Sequence, residues 1–320
     1  MICDIVALDN HVKKTRKCEK MYAIEMNNYG DVDVLVETTT APKPEIKPNQ
    51  LLVKQHATAI DPYDVKFRQG LMGSEREVPL IPGSSVAGEV VAIGTEITDF
   101  SIGDRVAASP HLKSYAEYVA LSHSAVAKIP ENVSYAQAAA VVLGAQTGYQ
   151  MITKDLNLQP GESVLVLGGS GSVGLTALQI AKLRGASDIY TTAIGHGVTF
   201  LKSFDQTIHV LASQNQALVT AIPNGVDAIL DLIGGENLIT ALQVLKPSGR
   251  LVSIVSNNED ERVTNAYLKS TGKQLADLLK LVSDNQIKVV LAEVLPFNVE
   301  NLRKFQSAKH VLGKLVLTFE

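Results

Sequence analysis

The chain has 320 residues, a formal net charge of −4, and 29 Lys and Arg against 33 Asp and Glu. That length suits about two domains with ample material for a core, and the charge argues against a nucleic-acid or anionic-membrane surface. Its two cysteines, Cys3 and Cys18, both precede Met21, so the rest of the chain can build neither a disulfide framework nor a cysteine metal centre.

Residues 1–20 differ in texture from the remainder of the chain and carry the one Lys/Arg cluster, Lys13, Lys14, Arg16, Lys17 and Lys20. The apolar opening is interrupted by Asp4, and the basic residues come after it rather than before it, unlike a secretory leader. We expect an N-terminal extension at 1–20, with the fold starting at Met21. No apolar run approaches the ~18–20 residues needed to span a bilayer, so a cytoplasmic protein is expected.

Residues 21–130 read as β-rich. Alternating stretches at 51–57, 86–93 and 115–120 are punctuated by Gly94, Gly103 and Pro62, the pattern of a partly open barrel. From Ser134 the texture changes to helix, at 135–142 and again at 147–156. Next comes Val164-Leu165-Val166-Leu167, a buried parallel strand by its apolar and β-branched content. It breaks into Gly168, Gly169, Gly171 and Gly174, after which Val173, Ala177, Ile180, Ala181 and Leu183 recur at helical spacing.

Strand, glycine turn and helix form the unit that binds a dinucleotide pyrophosphate. Gly168 permits the tight turn, Gly171 lets backbone approach phosphate, and Gly174 lets the helix pack close. The N–H groups of the first helical turn, from Ser172 and Val173 on, then face the anion with the positive end of the helix dipole. Strands come next at 189–193, 208–211, 228–233 and 251–255, with helical patterns between, which predicts a doubly wound parallel sheet. A helix at 274–284 and strands near 289–291 and 314–319 complete the chain.

These segments resemble the zinc-independent quinone oxidoreductase branch of the medium-chain dehydrogenase/reductase superfamily. The resemblance runs from Met21 to Glu320. It is carried by the glycine motif, Ala59-Ile60-Asp61-Pro62-Tyr63-Asp64, Pro82-Gly83-Ser84-Ser85-Val86-Ala87-Gly88, Thr147-Gly148-Tyr149, Asp231-Leu232-Ile233-Gly234-Gly235 and His310-Val311-Leu312-Gly313-Lys314. It implies an α/β protein: a GroES-like barrel from 21–144 and 272–320, a Rossmann domain at 145–271, and a cofactor in the cleft. It also implies cofactor contacts from Pro62, Thr147, Ile233, Gly234, Val255 and Lys314, and a homodimer joined edge to edge at 266–270.

Zinc-using relatives hold their catalytic metal through Cys, His and Cys; the equivalent positions here are Asp61, Ser84 and Leu143. Leu has no lone pair, Ser is a poor ligand, and one Asp cannot hold zinc, so no metal is expected. The chain also departs from its own branch. Asp61 replaces the usual Asn, Ser85 the usual Asp, and Leu312 a frequent Arg, while Lys66 stands where some relatives carry Tyr.

The second Rossmann strand bears on the cofactor. It ends Thr192-Ala193-Ile194-Gly195-His196 without the acid that would accept hydrogen bonds from an NAD ribose. Asp188 lies at the other end, roughly 15 Å off at about 3.3 Å per residue. NADPH is therefore expected, with Thr192, His196 and Lys202 as candidate 2′-phosphate contacts and His209 near the adenine ribose. Without metal or flavin, the acceptor should give a delocalised anion, which points to a quinone or an α,β-unsaturated carbonyl. Tyr63 and Lys66 are the candidate donors to it, and Asp61 would orient a water or the nicotinamide ribose. Two alternatives stay open: an enoyl-thioester reductase of the same fold, and a non-catalytic NADPH-binding protein comparable with lens crystallins.

Overall fold

A computed structural model describes residues 19–73, 76–212, 215–255 and 260–319. Most of the expected N-terminal extension, with both cysteines, lies outside the described residues. The first strand, Lys20–Met26, pairs antiparallel with Leu35–Pro42. Lys43 N also donates to Glu19 O, so the ladder starts two residues before Met21.

Among the described residues a seven-stranded, mostly antiparallel sheet forms the barrel. Its path runs Leu291–Pro296, Lys314–Thr318, Gln50–Ala59, Val86–Ile93, Arg105–Ala108 and Val126–Lys128, and Tyr118–Ser122 pairs with Gln50–Ala59. The strand Lys314–Thr318 sits inside this sheet, parallel to Leu291–Pro296 and antiparallel to Gln50–Ala59.

The second large sheet is parallel throughout. Its order is His209–Ala212, Ile189–Ala193, Val164–Leu167, Val226–Asp231, Leu245–Ser253 and Val263–Asn265. Val164–Leu167 is wholly buried at the centre, as a strand covered by helices on both faces requires. The chain is thus an α/β protein with a GroES-like barrel and a Rossmann sheet. No described helix is long and apolar enough to cross a membrane.

The last parallel strand corrects the expected 266–270. Ala266 N still donates to Ser253 O, but beyond it the buried Gln150 takes over: its Nε2 donates to Tyr267 O at 3.0 Å and its Oε1 accepts from Lys269 N at 2.8 Å. These bonds draw the chain off the sheet, leaving Val263–Asn265 as the edge.

An alanine-rich helix, Tyr135–Ala140, joins the two halves. Ser134 Oγ accepts from Gln137 N at 3.2 Å, and Gln137 Oε1 accepts from Ser134 N at 3.0 Å, a reciprocal cap. The two expected helices form one continuous rod over 135–155, interrupted by π-turns at Val141–Ala145 and Met151–Asp155. One apolar core extends from Ala57 and Ala87 in the barrel, through Ala138 and Val142 in this rod, to Val164, Val166 and Leu178 in the Rossmann half. The cleft between the sheets is therefore floored by packed small residues.

Candidate active site

The glycine turn leaves the carboxyl end of Val164–Leu167. Gly168 has φ +87°, a left-handed conformation that favours glycine. Its N–H donates to Thr192 Oγ1 at 3.1 Å, and Gly169 N donates to Thr192 O at 3.0 Å. A Cβ on Gly174 would lie 2.5 Å from Gly168 O and 2.6 Å from Gly169 Cα, so the helix Ser172–Leu183 sits against the turn only because that position has no side chain.

Gly171 is different. It caps the helix with φ −85°, open to any residue, and a Cβ there would meet nothing within 4 Å. Neither backbone nor packing demands glycine at this position. The space it leaves lies at the helix N-terminus, where the first-turn N–H groups have no intrahelical partner. The cradle fits a dinucleotide pyrophosphate.

The last barrel strand closes the other side. Gly313 N donates to Ser170 O at 3.2 Å, and Gly313 forms an isolated parallel bridge with Gly171. Lys314 comes next, 4 % exposed, and its ammonium bonds the carboxylate of Asp61. Asp61 precedes the helix Pro62–Arg68, is itself buried, and accepts from Ser85 Oγ at 3.2 Å. A Cβ on Gly144, within the first π-turn, would stand 2.8 Å from Ser172 Oγ and 3.4 Å from Asp61 Oδ1. Four separate elements therefore converge at Gly144, Ser172, Asp61 and Lys314.

Asp64 lies one turn behind. It is buried, and its Oδ2 accepts from Asp61 N at 2.9 Å. Burial first, and then the charge of Asp61, push its carboxyl up to about 7. Tyr63 is half-buried and stacks on Phe67 with ring centres 6.3 Å apart; burial raises its phenol, with Asp64 adding to the effect. Pro62 and Lys66 are exposed on the same short helix. Tyr63 and Lys66 are three residues apart and so share a helix face.

On the Rossmann side, Thr147 Oγ1 donates to Leu143 O at 2.8 Å. Asp231 Oδ1 accepts from both Ile233 N and Gly234 N, at 3.0 and 2.8 Å, and Ser253 Oγ donates to Asp231 Oδ2 at 2.7 Å. These bonds hold the loop beside the glycine turn, with Ile233 Cδ1 2.7 Å from where a Gly168 Cβ would be. Ile194, Ile233 and Val255 are exposed apolar residues just past the carboxyl ends of three strands. Ligands of open α/β sheets bind at those ends.

Three of the expected cofactor contacts are placed differently from His196. Thr192 is 5 % exposed and its hydroxyl accepts from Gly168 N, so it shapes the glycine turn. Lys202 is in the last turn of the helix His196–Phe204, roughly 9 Å along it from His196. His209 starts its strand and therefore lies at the amino end of the sheet, stacked on Tyr190 and 3.8 Å from Asp188. Only His196, exposed at the first helical position after Gly195, stands at the nucleotide end. Asp64 and Gly144 are members of the site that sequence reasoning missed.

The chain matches the family models for an alcohol dehydrogenase GroES-like domain over residues 47–131 and a zinc-binding dehydrogenase over residues 172–301. It is 32 % identical over 273 residues to a 2-methylene-furan-3-one reductase of Solanum lycopersicum, covering 78 % of this chain and 70 % of that one. It is 30 % identical over 313 residues to the chloroplastic NADPH-dependent alkenal/one oxidoreductase of Arabidopsis thaliana, covering 93 % and 80 %. The quinone oxidoreductase of Coxiella burnetii superposes with a TM-score of 0.85 at 29 % identity, over 94 % of this chain and 100 % of that one.

The chain belongs to the quinone oxidoreductase branch of the medium-chain dehydrogenase/reductase superfamily.

As a member of that branch it carries a pyridine-nucleotide oxidoreductase fold. Zinc, which one matching model's description implies, does not fit the donors present. Asp61 is engaged by an ammonium, and Leu143 offers no side-chain ligand. Among the described residues no group of three His, Cys, Asp or Glu is disposed to hold a metal.

Proposed function

We propose that this protein is an NADPH-dependent oxidoreductase that reduces a quinone or an α,β-unsaturated carbonyl without zinc, as a cytoplasmic homodimer. The observation that carries the reading is the empty space at Gly171, framed by the helix N-terminus and the Lys314 segment. Support comes also from relatives named as alkenal/one and quinone oxidoreductases. We take residues 21–144 and 272–320 as the catalytic unit, 145–271 as the nucleotide unit and 1–20 as an extension.

NADPH supplies the hydride when bound. The backbone of Ser172, Val173 and Gly174 holds the pyrophosphate, and Ile233, Gly234 and Val255 border the cofactor's path. His196 meets the 2′-phosphate at the start of its own helix, a bond worth roughly 1.5–3 kcal/mol if charge-assisted. Pro62 and Thr147 line the nicotinamide end. Tyr63 and Lys66 orient the acceptor oxygen, while Asp61 fixes Lys314 beside the reacting centre. Acceptors whose product anion is delocalised need no more than such donors, whereas an alkoxide would need a Lewis acid. The edge strand Val263–Asn265, paired on one side only among the described residues, is our candidate dimer seam.

The test is NADPH and NADH oxidation by purified protein with a panel of quinones, enals, enones and simple alcohols. Reduction of the first three classes is expected. NADPH binding without turnover on any acceptor would replace this reading with that of a non-catalytic binding protein.

A further inference from the structure

The protein keeps a second carboxyl out of water behind the Asp61–Lys314 pair. Asp64 is 1 % exposed. Its Oδ1 makes no full hydrogen bond to a described residue, although the hydroxyls of Ser84 and Tyr115 lie near enough to act on the carboxyl. A buried carboxylate so poorly hydrogen-bonded costs more than a neutral carboxylic acid in the same place. The charged and titratable groups facing it come from every neighbouring element: Asp61 from its own turn, Lys314 from the last barrel strand, and Tyr115 from the segment before Tyr118–Ser122. Tyr63 adjoins it. Arg68, one turn on, is occupied elsewhere, bonding Gln306 Oε1 at 2.6 Å and Gly30 O. Next to the reacting centre there is thus a matched ion pair, and directly behind it a carboxyl that burial and the charge of Asp61 push up to about 7.

Resting on the hydride-transfer reading, we infer that Asp64 is the site's proton store, resupplying through Asp61 the proton that Lys314 gives to the product anion. With an enone, two electrons arrive as hydride, a C–H bond forms at the β-carbon, and the C=C pair shifts to leave an enolate. A Lys314 N–H bond then breaks as its proton goes to the enolate. The Asp64 O–H bond breaks as its proton passes by way of the Asp61 carboxylate to the lysine. Asp64 is left as a carboxylate and recovers a proton from water before the next turnover. Asp64 touches no substrate; it is a positioning residue that acts through Lys314.

The experiment uses Asp64→Asn, which retains an oxygen to accept from Asp61 N. In the wild type, kcat for an enone with NADPH falls as pH rises through neutrality. The variant loses that limb and about tenfold or more of kcat below it, with KM and NADPH affinity little changed. Independently of turnover, infrared pH-difference spectra of the protein without nucleotide show a protonated-carboxyl band that titrates near neutrality and is missing in Asp64→Asn. Ser84→Ala, which removes a dipole favouring the anion, moves both band and kinetic limb to higher pH. Wild-type kcat and an intact limb in Asp64→Asn would overturn the inference, as would a band titrating in the ordinary carboxyl range. If no acceptor is turned over, the functional reading fails, and the infrared band alone then decides whether Asp64 stores a proton.

Discussion

Lys314 holds Asp61 across 253 residues of sequence, and both side chains are almost wholly buried. Removing one partner of such a pair strands a charge, at about 3–5 kcal/mol. Asp61→Asn should therefore destabilise the protein by about 3 kcal/mol, even though it restores the residue usual in the branch. The double variant Asp61→Asn, Lys314→Met should recover part of that loss. Urea unfolding of both proteins checks the order.

Gly171 and Gly174 separate binding from folding. Gly174→Ala puts a methyl into the backbone of Gly168 and Gly169, and overpacking of this kind costs about 1–3 kcal/mol or more. Gly171→Ala meets open space at an allowed φ, so its melting temperature should match the wild type. Its NADPH affinity should still fall about tenfold, or ~1.4 kcal/mol. Calorimetry with fluorescence titration reads both quantities. Unchanged NADPH affinity in Gly171→Ala would mean that the space is not the pyrophosphate cradle.

The 2′-phosphate contact can be located by comparing two cations. NADPH should bind about tenfold or more tightly than NADH. His196→Ala should erode that preference, and Lys202→Ala should leave it intact because Lys202 is at the far end of the same helix. Ratios of dissociation constants for the two cofactors decide between them.

Asp64 also gives stability a pH dependence of definite sign. Its folded carboxyl is pushed up to about 7, above the ordinary value near 3.9, so the folded state binds the extra proton between those limits. The stabilisation is fully present below pH ~4, falls by at most ~1.4 kcal/mol per pH unit as pH rises toward 7, and levels off beyond that. In Asp64→Asn that slope disappears, and the variant gains on the wild type at alkaline pH. Urea unfolding at several pH values tests it.

How much was legible in the sequence depends on how local each feature is. The strand Ile189–Ala193 and the glycine turn could be read to the residue, because apolar runs and glycines report on their immediate neighbours. The shift of the last parallel strand to Val263–Asn265 could not, since it depends on Gln150, more than a hundred residues earlier in the chain. Thr192 looked like a ligand contact because its hydroxyl has no visible partner until the turn folds beside it. The Asp61–Lys314 pair did leave a trace. An acid in a turn that the fold buries demands a counter-charge, and Lys314 heads the otherwise apolar Leu315-Val316-Leu317.

The bridge from Gly171 to Gly313 sets a schedule for the protein's synthesis. Asp61 leaves the ribosome 253 residues ahead of Lys314, and until Lys314 emerges the barrel lacks the strand that sits inside its sheet. The parallel sheet, complete by Asn265, can form while translation continues. A nascent chain can therefore form its parallel sheet and glycine turn before it can assemble either the ion pair or the Gly313 side of the cradle. One short stretch of chain, Gly313 and Lys314, thus completes both the cradle and the ion pair.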